Sequence, residues 1–363
     1  MPVKVSVREA TSADLPAVTR LLCRRDGRQH DPTAVHNILF GLQPERLLAW
    51  VAWADDEPVG LTSLYVRTLR FDSHTGMGGG KVEKKAGYWA HLFVDEDYRR
   101  LMIFPRLMIA MVRGAKSGGL ELLYTITRQP KLAEACGKFG FALVARQTAL
   151  IRPLRPLALV AKQFGMPAAL TSVAAPVDAL YGAFASRVAN SEISVGELES
   201  SSPDCGAIVE MLNAMGEGLI SQKWTLDQFR RRFSGTIDSY PYTLLVARRG
   251  GDPVAAMISR MAERGNGIRV GVILEACWYP DEAAAAAVLL QHAQRRAYQS
   301  GAEVMLTMDS LGEGTGSLVA PLPYRSTSEL HHLLVWDSGG APADGFGADP
   351  KHWRFAYSDH DAF

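Results

Sequence analysis

The chain lacks the features that mark a stapled, membrane-embedded or polyanion-binding protein. Its 363 residues include four cysteines, Cys23, Cys136, Cys205 and Cys277, widely spaced and without a CxxC pair. That pattern argues against a zinc framework or disulfide scaffold and suits a reducing compartment. Charge of one sign is not in surplus: 39 Lys and Arg face 38 Asp and Glu, a net charge of +1. No basic field therefore points to nucleic acid. Long apolar runs are missing as well. The longest charge-free run, Gln163–Val177, has 15 residues, two prolines and a glycine, and a bilayer-crossing helix needs about 20 apolar residues. No integral membrane segment is expected. The opening MPVKVSVREA holds no apolar signal core, so the expected location is the cytoplasm. With 47% hydrophobic and 21% charged residues, the chain reads as globular and long enough for two domains.

What is present centres on Gly87–Arg106, GYWAHLFVDEDYRRLMIFPR. Gly87–Val94 is apolar and aromatic nearly throughout, as in a strand covered on both faces. Asp95, Glu96 and Asp97 supply a turn, and a helix is predicted from about Met102 to Lys116, with Pro105 in its first turn. A strand that feeds a helix N-terminus through a short loop leaves backbone N–H groups for an anion, above all a phosphate. Around this stretch the pattern predicts a strand at Val3–Glu9 and a helix begun by Thr11 with Asp14 at the capping-box position. A second helix is expected at Thr33–Leu42, then a hairpin of Leu47–Ala54 and Val59–Phe71. Glu121–Thr127 reads as a buried strand, Lys131–Lys138 as a helix and Ala142–Arg152 as a strand. The order is β-α-α-β-β-β-α-β-α-β.

That order, with VREATSADLPAVTRLL, WVAWADDEPVGLTSL, VDEDYRRLMIFPRLM and KLAEACGKFGF, resembles the GNAT superfamily of CoA-dependent N-acyltransferases over roughly residues 3–152. The resemblance implies an α/β fold (an α+β mixed sheet). It also implies acetyl-CoA or a longer acyl-CoA as co-substrate, no metal, and a small-molecule or sugar amine as acceptor. The pyrophosphate would rest on the N–H groups of Arg99, Arg100, Leu101, Met102, Ile103 and Phe104. The pantetheine arm would pair with the edge of Leu92, Phe93 and Val94. Two departures stand out. Met102 and Phe104 occupy positions where the family has glycine; Phe104 matches a variation known in some bacterial members, whereas Met102 does not. Alignment on Gly140-Phe141 puts Cys136 where the family has the tyrosine that protonates the leaving thiolate. The other reading of Cys136 is a small buried core residue. For a base, Tyr88 and His91 are the polar-headed residues of the central strand; alternation puts them on opposite faces, and His91 also reads as a buried, hydrogen-bonded ring.

Gly76–Lys81 misses the phosphate-loop pattern by one residue, with Val82 where a Ser or Thr belongs; it reads as a loop that could cover a substrate. Residues 153–190 form a linker with helices expected at Leu157–Phe164 and Val177–Val188. From Ile193 the earlier order recurs, with a hairpin Tyr242–Arg248 and Pro253–Met261, a strand Ile268–Trp278, a helix Glu282–Ser300, and strands Glu303–Met308 and His331–Trp336. The expectation is two GNAT-like domains in tandem, residues 1–152 and 191–338, followed by a tail, 339–363, whose Trp353, Phe355 and Tyr357 tuck onto the body. In the second domain Asp281 and Glu282 sit where a phosphate would, so CoA is not expected there. Glu275, a carboxylate in an apolar strand, is either paired or part of the acceptor site. Arg230–Arg232 reads as a solvated helix face, and Gly312–Gly316 as a loop. Monomer and homodimer both remain open. So do two other activities: a non-catalytic acyl-CoA-binding or protein-binding tandem, and an aminoacyl-tRNA-dependent transferase. Against the last stands the lack of a basic surplus.

Overall fold

The computed structural model describes residues 3–39, 47–72, 81–166, 175–182, 192–234, 241–264, 267–308, 324–339 and 349–357. Gly76–Gly80 and Gly312–Gly316 lie outside these residues, as does the second half, 183–188, of the helix expected to end at Val188. Residues 175–182 of that helix are helical. The chain divides into two compact units: Met1–Arg146 with Gly218–Lys223 and His331–Trp353, and Gln147–Glu217 with Trp224–Leu330 and Arg354–Phe363.

In the first unit the strands are β1 (Val5–Glu9), β2 (Leu47–Ala54), β3 (Glu57–Asp72), β4 (Lys81–Val94) and β5 (Leu122–Thr127). They lie in chain order, antiparallel except for the parallel pair β4 and β5. The helices are α1 (Leu15–Asp26), α2 (Pro32–Leu39), α3 (Ile103–Ser117) and α4 (Pro130–Gly137). Thr11 and Asp14 form the expected capping box, around a 3-10 turn, Ser12–Asp14, that leads into α1: the Asp14 carboxylate accepts from Thr11 N at 2.9 Å and from Arg8 Nη2 at 2.6 Å. Strand alternation sorts the core onto two faces. Trp50, Leu64, Val66, Trp89 and Leu123 pack with Ile103, Leu107 and Met111 of α3. Val51 and Leu61 pack with Val18, Leu21 and Leu22 of α1.

The second unit repeats the plan with β7 (Ser194–Leu198), β9 (Tyr242–Arg249), β10 (Asp252–Glu263), β11 (Arg269–Trp278) and β12 (Val304–Met308). Again the fourth and fifth of these run parallel. Its helices include α5 (Pro156–Gln163), α6 (Cys205–Met215), α7 (Leu226–Phe233) and α8 (Ala283–Gln299). Arg230 of α7 donates to Ser201 O and Ser202 O, and Arg232 donates to the Tyr242 hydroxyl. Trp353, Phe355 and Tyr357 are buried.

The two units are not the contiguous segments 1–152 and 191–338. The sixth strand has changed places. Beside β5 of the first unit lies the end of β13 (Arg325–Asp337), with His332 opposite Thr127 and Asp337 opposite Leu122. The strand expected there, β6 (Ala142–Pro153), pairs through Ala149–Pro153 with β12 of the second unit. A short strand β8 (Ile220–Gln222) also joins the first unit, against Leu69–Phe71 of β3 beyond the reach of β2. The β5 and β12 edges are thus paired by chain from the other half, which a local pattern cannot reveal because backbone pairing is blind to sequence distance.

Candidate active site

The site forms where β4 and β5 part. Their parallel pairing consists of Ala86 with Leu122, Gly87 with Leu123 and Tyr88 with Tyr124. Gly87 allows that close approach: a Cβ there would stand 2.8 Å from Leu123 Cδ2. Beyond Tyr88 no further rung joins the two strands among the described residues, and Thr125 Oγ1 bridges the opening by donating to Trp89 O at 2.9 Å. The cause is a bulge in β4. Leu61 of β3 faces Phe93 and Ser63 faces Ala90, so Thr62 alone stands opposite His91 and Leu92. His91 takes the left-handed backbone at φ 54°, a region that histidine visits more readily than most non-glycine residues. A bulge bends its strand and raises the local twist, which turns the end of β4 away from β5.

The bulge also overturns the expected alternation. His91 and Tyr88 do not lie on opposite faces; both meet Tyr65. The Tyr65 and Tyr88 rings stack at 6.5 Å, and the Tyr65 and His91 rings lie 5.6 Å apart. The extra residue shifts the period-2 pattern by one, so His91 returns to the face it should have left. His91 is buried and held at both nitrogens: Nδ1 is 2.9 Å from Arg25 Nη1, and Nε2 is 2.7 Å from Tyr65 Oη. Arg25 in turn grips Asp26 at 2.6 and 2.8 Å, and Asp26 Oδ2 is 2.7 Å from His30 Nε2. On the same face Arg67 lies over the Tyr88 ring at 4.7 Å and donates to the Tyr124 hydroxyl at 3.3 Å. Tyr124 and Tyr88 are in ring contact at 5.3 Å, and Trp353 covers Tyr124 at 6.3 Å. Tyr65, Arg25 and Arg67 escaped the sequence reading. The one signal was a tyrosine in the middle of an apolar strand, which alone says nothing of its partner.

Past the bulge, Leu92 and Val94 join the α3 side of the sheet and Phe93 the α1 side. The chain then makes a turn of 3-10 helix, Glu96–Leu101, and enters α3 through Met102. Met102 has φ 55° and ψ 37°, the conformation for which glycine is favoured, and its side chain is 61% exposed. The methionine therefore fits by pointing into solvent. The backbone keeps the left-handed shape at a cost of roughly 1–2 kcal/mol for a non-glycine residue. No side chain caps the N-terminus of α3 among the described residues, so the first N–H groups, with Pro105 contributing none, face outward with the positive end of the helix dipole. Arg99 is exposed and tied to Glu96 at 2.8 Å, a pairing worth too little to prevent its turning to an anion. Arg100 is exposed as well. Phe104 packs edge-on against Phe139 at 5.8 Å, so its ring leaves the helix mouth sideways.

Two expected site residues have another place. Cys136 is fully buried in the core with Trp89, Phe141 and Trp336, and burial pushes its thiol up to about 12. Passing its proton to a thiolate with an ordinary thiol pKa would run about 5 kcal/mol uphill, and its burial in the core favours the core reading over the catalytic one. Glu275 is buried in the second unit and accepts from Arg354 Nη2 at 2.5 Å. That is the paired alternative rather than an open acceptor contact. The second unit has its own bulge in β11, where Ile258 faces Glu275 and Ser259 faces Ile273. Its helix α8 starts just after Glu282, whose carboxylate makes no cap bond to the helix but is clamped by Arg249 through two 2.9 Å bonds, so a paired carboxylate stands beside that N-terminus. Among the described residues no group of three or more His, Cys, Asp or Glu could hold a metal ion, and no helix is long and apolar enough to cross a membrane.

Comparison with known proteins agrees with this architecture. Residues 15–141 match the Acetyltransferase (GNAT) family; no curated protein matches the chain by sequence. Among solved structures, a GCN5-related N-acetyltransferase from Anabaena variabilis superposes with a TM-score of 0.59 at 10% identity, over 92% of this chain and 72% of that one. One from Kribbella flavida gives 0.55 at 10%, over 92% and 71%. The N-myristoyltransferase of Saccharomyces cerevisiae with bound myristoyl-CoA gives 0.64 at 14%, over 98% and 86%. At these identities the likeness speaks for the fold, and it extends over both units. Residues 15–141 thus match the GNAT family by sequence, and the chain as a whole has the fold of these acyltransferase structures.

Proposed function

We propose that the first unit binds an acyl-CoA and that the protein transfers the acyl group to the amine of a small molecule. The observation that carries this reading is the bulge at His91 followed at once by the uncapped N-terminus of α3. The first leaves a strand edge without its neighbour, and the second collects N–H donors beside it. A pantetheine arm, with its two amides, is an extended chain that can add to such an edge. The pyrophosphate would lie on the N–H groups from Arg99 to Phe104, with Arg99 and Arg100 adding charge. A backbone N–H of Leu92–Val94 would polarise the thioester carbonyl. The acceptor would approach on the side of Tyr65, which stays partly exposed while Tyr88 and Tyr124 are buried. The yeast N-myristoyltransferase structure contains myristoyl-CoA, and the partly buried apolar residues Leu92, Val94, Leu101 and Phe104 of this segment make a long acyl chain as fitting a candidate as acetyl. The second unit, with Glu282 at its helix N-terminus, would hold no CoA.

Isothermal titration with acetyl-CoA, a medium-chain acyl-CoA and myristoyl-CoA tests this directly. Binding with micromolar affinity that weakens on replacing Arg99 and Arg100 by Ala is expected. Absence of heat for every donor at millimolar concentration would end the acyl-CoA reading.

A further inference from the structure

We infer that Tyr65 is the group that protonates the departing thiolate, with His91 and Arg25 positioning its hydroxyl; this rests on the acyl-CoA reading of the same cleft. Hydrogen-bond direction comes first. A guanidinium only donates, so His91 Nδ1 accepts from Arg25 Nη1 at 2.9 Å. The single proton of the neutral ring then sits on Nε2 and is donated to Tyr65 Oη at 2.7 Å. A phenol oxygen that accepts from the ring must direct its own O–H proton elsewhere than at that ring. Arg25 cannot easily swing away, because Asp26 holds its Nε and Nη2 at 2.6 and 2.8 Å.

Position comes second. Tyr65 faces Tyr88 across β3 and β4, and Tyr88 forms the last rung before β4 and β5 part. From there the Tyr65 hydroxyl reaches the ring of the bulge residue itself. The phenol thus stands at the mouth of the split, beside the strand edge proposed to hold the thioester. Cys136, the alternative donor, is sealed in the core on the α3 side.

The chemistry then closes. The amine nitrogen forms a bond to the thioester carbonyl carbon, and the C–S bond breaks with its electron pair going to sulfur. The Tyr65 O–H proton passes to that sulfur. The phenolate is stabilised by the His91 N–H, itself polarised by Arg25, and it recovers a proton from the nitrogen that has become an amide. Amine and thioester give amide and thiol, and Tyr65 ends as it began. His91 and Arg25 touch neither reactant and act through the phenol.

The test uses the full chain, with acetyl-CoA and myristoyl-CoA as donors and hydroxylamine as a small nucleophile. Donor affinity is measured by calorimetry and turnover by the loss of thioester ultraviolet absorbance. Tyr65→Phe is expected to bind the donor as the wild type does while turnover falls about 100-fold, the size of a general acid's contribution. His91→Asn keeps a residue that tolerates the left-handed backbone. It is expected to cost roughly tenfold in turnover in the wild-type background and almost nothing in the Tyr65→Phe background, since both losses pass through one hydroxyl. A purely structural role for His91 would give the same loss in both. If Tyr65→Phe does not fold, fluorotyrosine at position 65 should change turnover without changing affinity. Full turnover in Tyr65→Phe or with fluorotyrosine overturns the inference, as does a loss of donor binding that matches the loss of turnover. Wild-type protein that binds acyl-CoA and never cleaves it also overturns the inference but leaves the acyl-CoA site standing. Wild-type protein that binds no donor removes both.

Discussion

Removing the Glu275 carboxylate decides whether that residue holds the second unit together or serves a substrate. Glu275 is 1% exposed and Arg354 9%. Arg354 Nη2 donates to Glu275 Oε1 at 2.5 Å and to Ala276 O at 3.2 Å. Both charges have left water, so their attraction roughly offsets their desolvation, and the intact pair adds little over an apolar pair of the same volume. Breaking it from one side is different. Glu275→Ala leaves the guanidinium buried without this carboxylate, at a cost of about 3–5 kcal/mol. Glu275→Gln keeps an acceptor oxygen and should cost about 2 kcal/mol, the loss of charge in a hydrogen bond that survives. In a unit of this size each kcal/mol lowers the melting temperature by roughly 2–4 °C, so the alanine variant should melt about 10 °C lower. Glu275→Met combined with Arg354→Met should recover most of that, because no lone charge remains. Denaturant unfolding of the four proteins, with circular dichroism as the signal, reads these differences. A Glu275→Ala variant within about 1 kcal/mol of wild type, or a double variant no more stable than Glu275→Ala, would refute the structural assignment. Unchanged stability with a raised KM for the acceptor would return Glu275 to the acceptor site.

Three further outcomes test the site and its frame. Cys136→Ala should lose about 1–2 kcal/mol of stability from the small cavity it leaves and keep its turnover per folded molecule, read by the thioester assay; a selective loss of turnover would restore the thiol to the chemistry. Met102→Gly removes a left-handed non-glycine residue and the Cβ nearest the proposed pyrophosphate seat, so CoA affinity should rise by up to about tenfold, or ~1.4 kcal/mol, in calorimetry; weaker binding would mean that the methionine side chain touches the ligand. Asp14 is hydrogen-bonded by Arg8, which holds its carboxyl down at about 2, below the ordinary value near ~3.9. Its contribution is therefore present above about pH 4 and is lost as pH falls toward 2. With Arg8 half exposed the contribution is roughly 1 kcal/mol after screening. Asp14→Asn should be less stable than wild type at neutral pH and equal to it near about pH 2, by urea unfolding at both pH values.

Much of the element order is legible in the sequence, because each element carries its own period. Leu15, Val18, Leu21 and Leu22 mark one helix face, and α1 buries Val18, Leu21 and Leu22 of them. Asp55-Asp56 marks a hairpin, and Ala54 indeed faces Glu57. The turn and helix after Val94 are read from Asp95 and Pro105. What sequence does not carry is choice of partner. Val335 in β13 and Leu150 in β6 are both apolar strand residues, and nothing local tells which faces Tyr124 and which faces Thr307. The bulge is hidden for a related reason. A strand read as strictly alternating puts His91 opposite Tyr88 in facing, and one extra residue, visible only as a slip in register against β3, reverses that. With the bulge missed, Tyr65 and Arg25 had no reason to be considered together.

The repetition of the fold sharpens the assignment of chemistry to one unit. Both fourth strands carry a glycine at the second parallel rung, Gly87 and Gly271, each where a Cβ would crowd the neighbouring strand. Both have a bulge shortly after it. The geometry that opens a strand edge is therefore common to the two halves and cannot by itself mean activity. The contents differ. Behind the first bulge stands a helix whose leading N–H groups meet no side-chain cap, entered by a residue whose side chain turns outward. Behind the second stands Glu282 with its own arginine, and the carboxylate just past that bulge is bound by Arg354. An anion arriving at the second helix would meet the negative charge of Glu282 held beside the N-terminus by Arg249; at the first, the cap residue Met102 carries no charge. On the proposed reading the same backbone would therefore offer a phosphate seat once, and Tyr65, His91 and Arg25 belong to the unit that carries it.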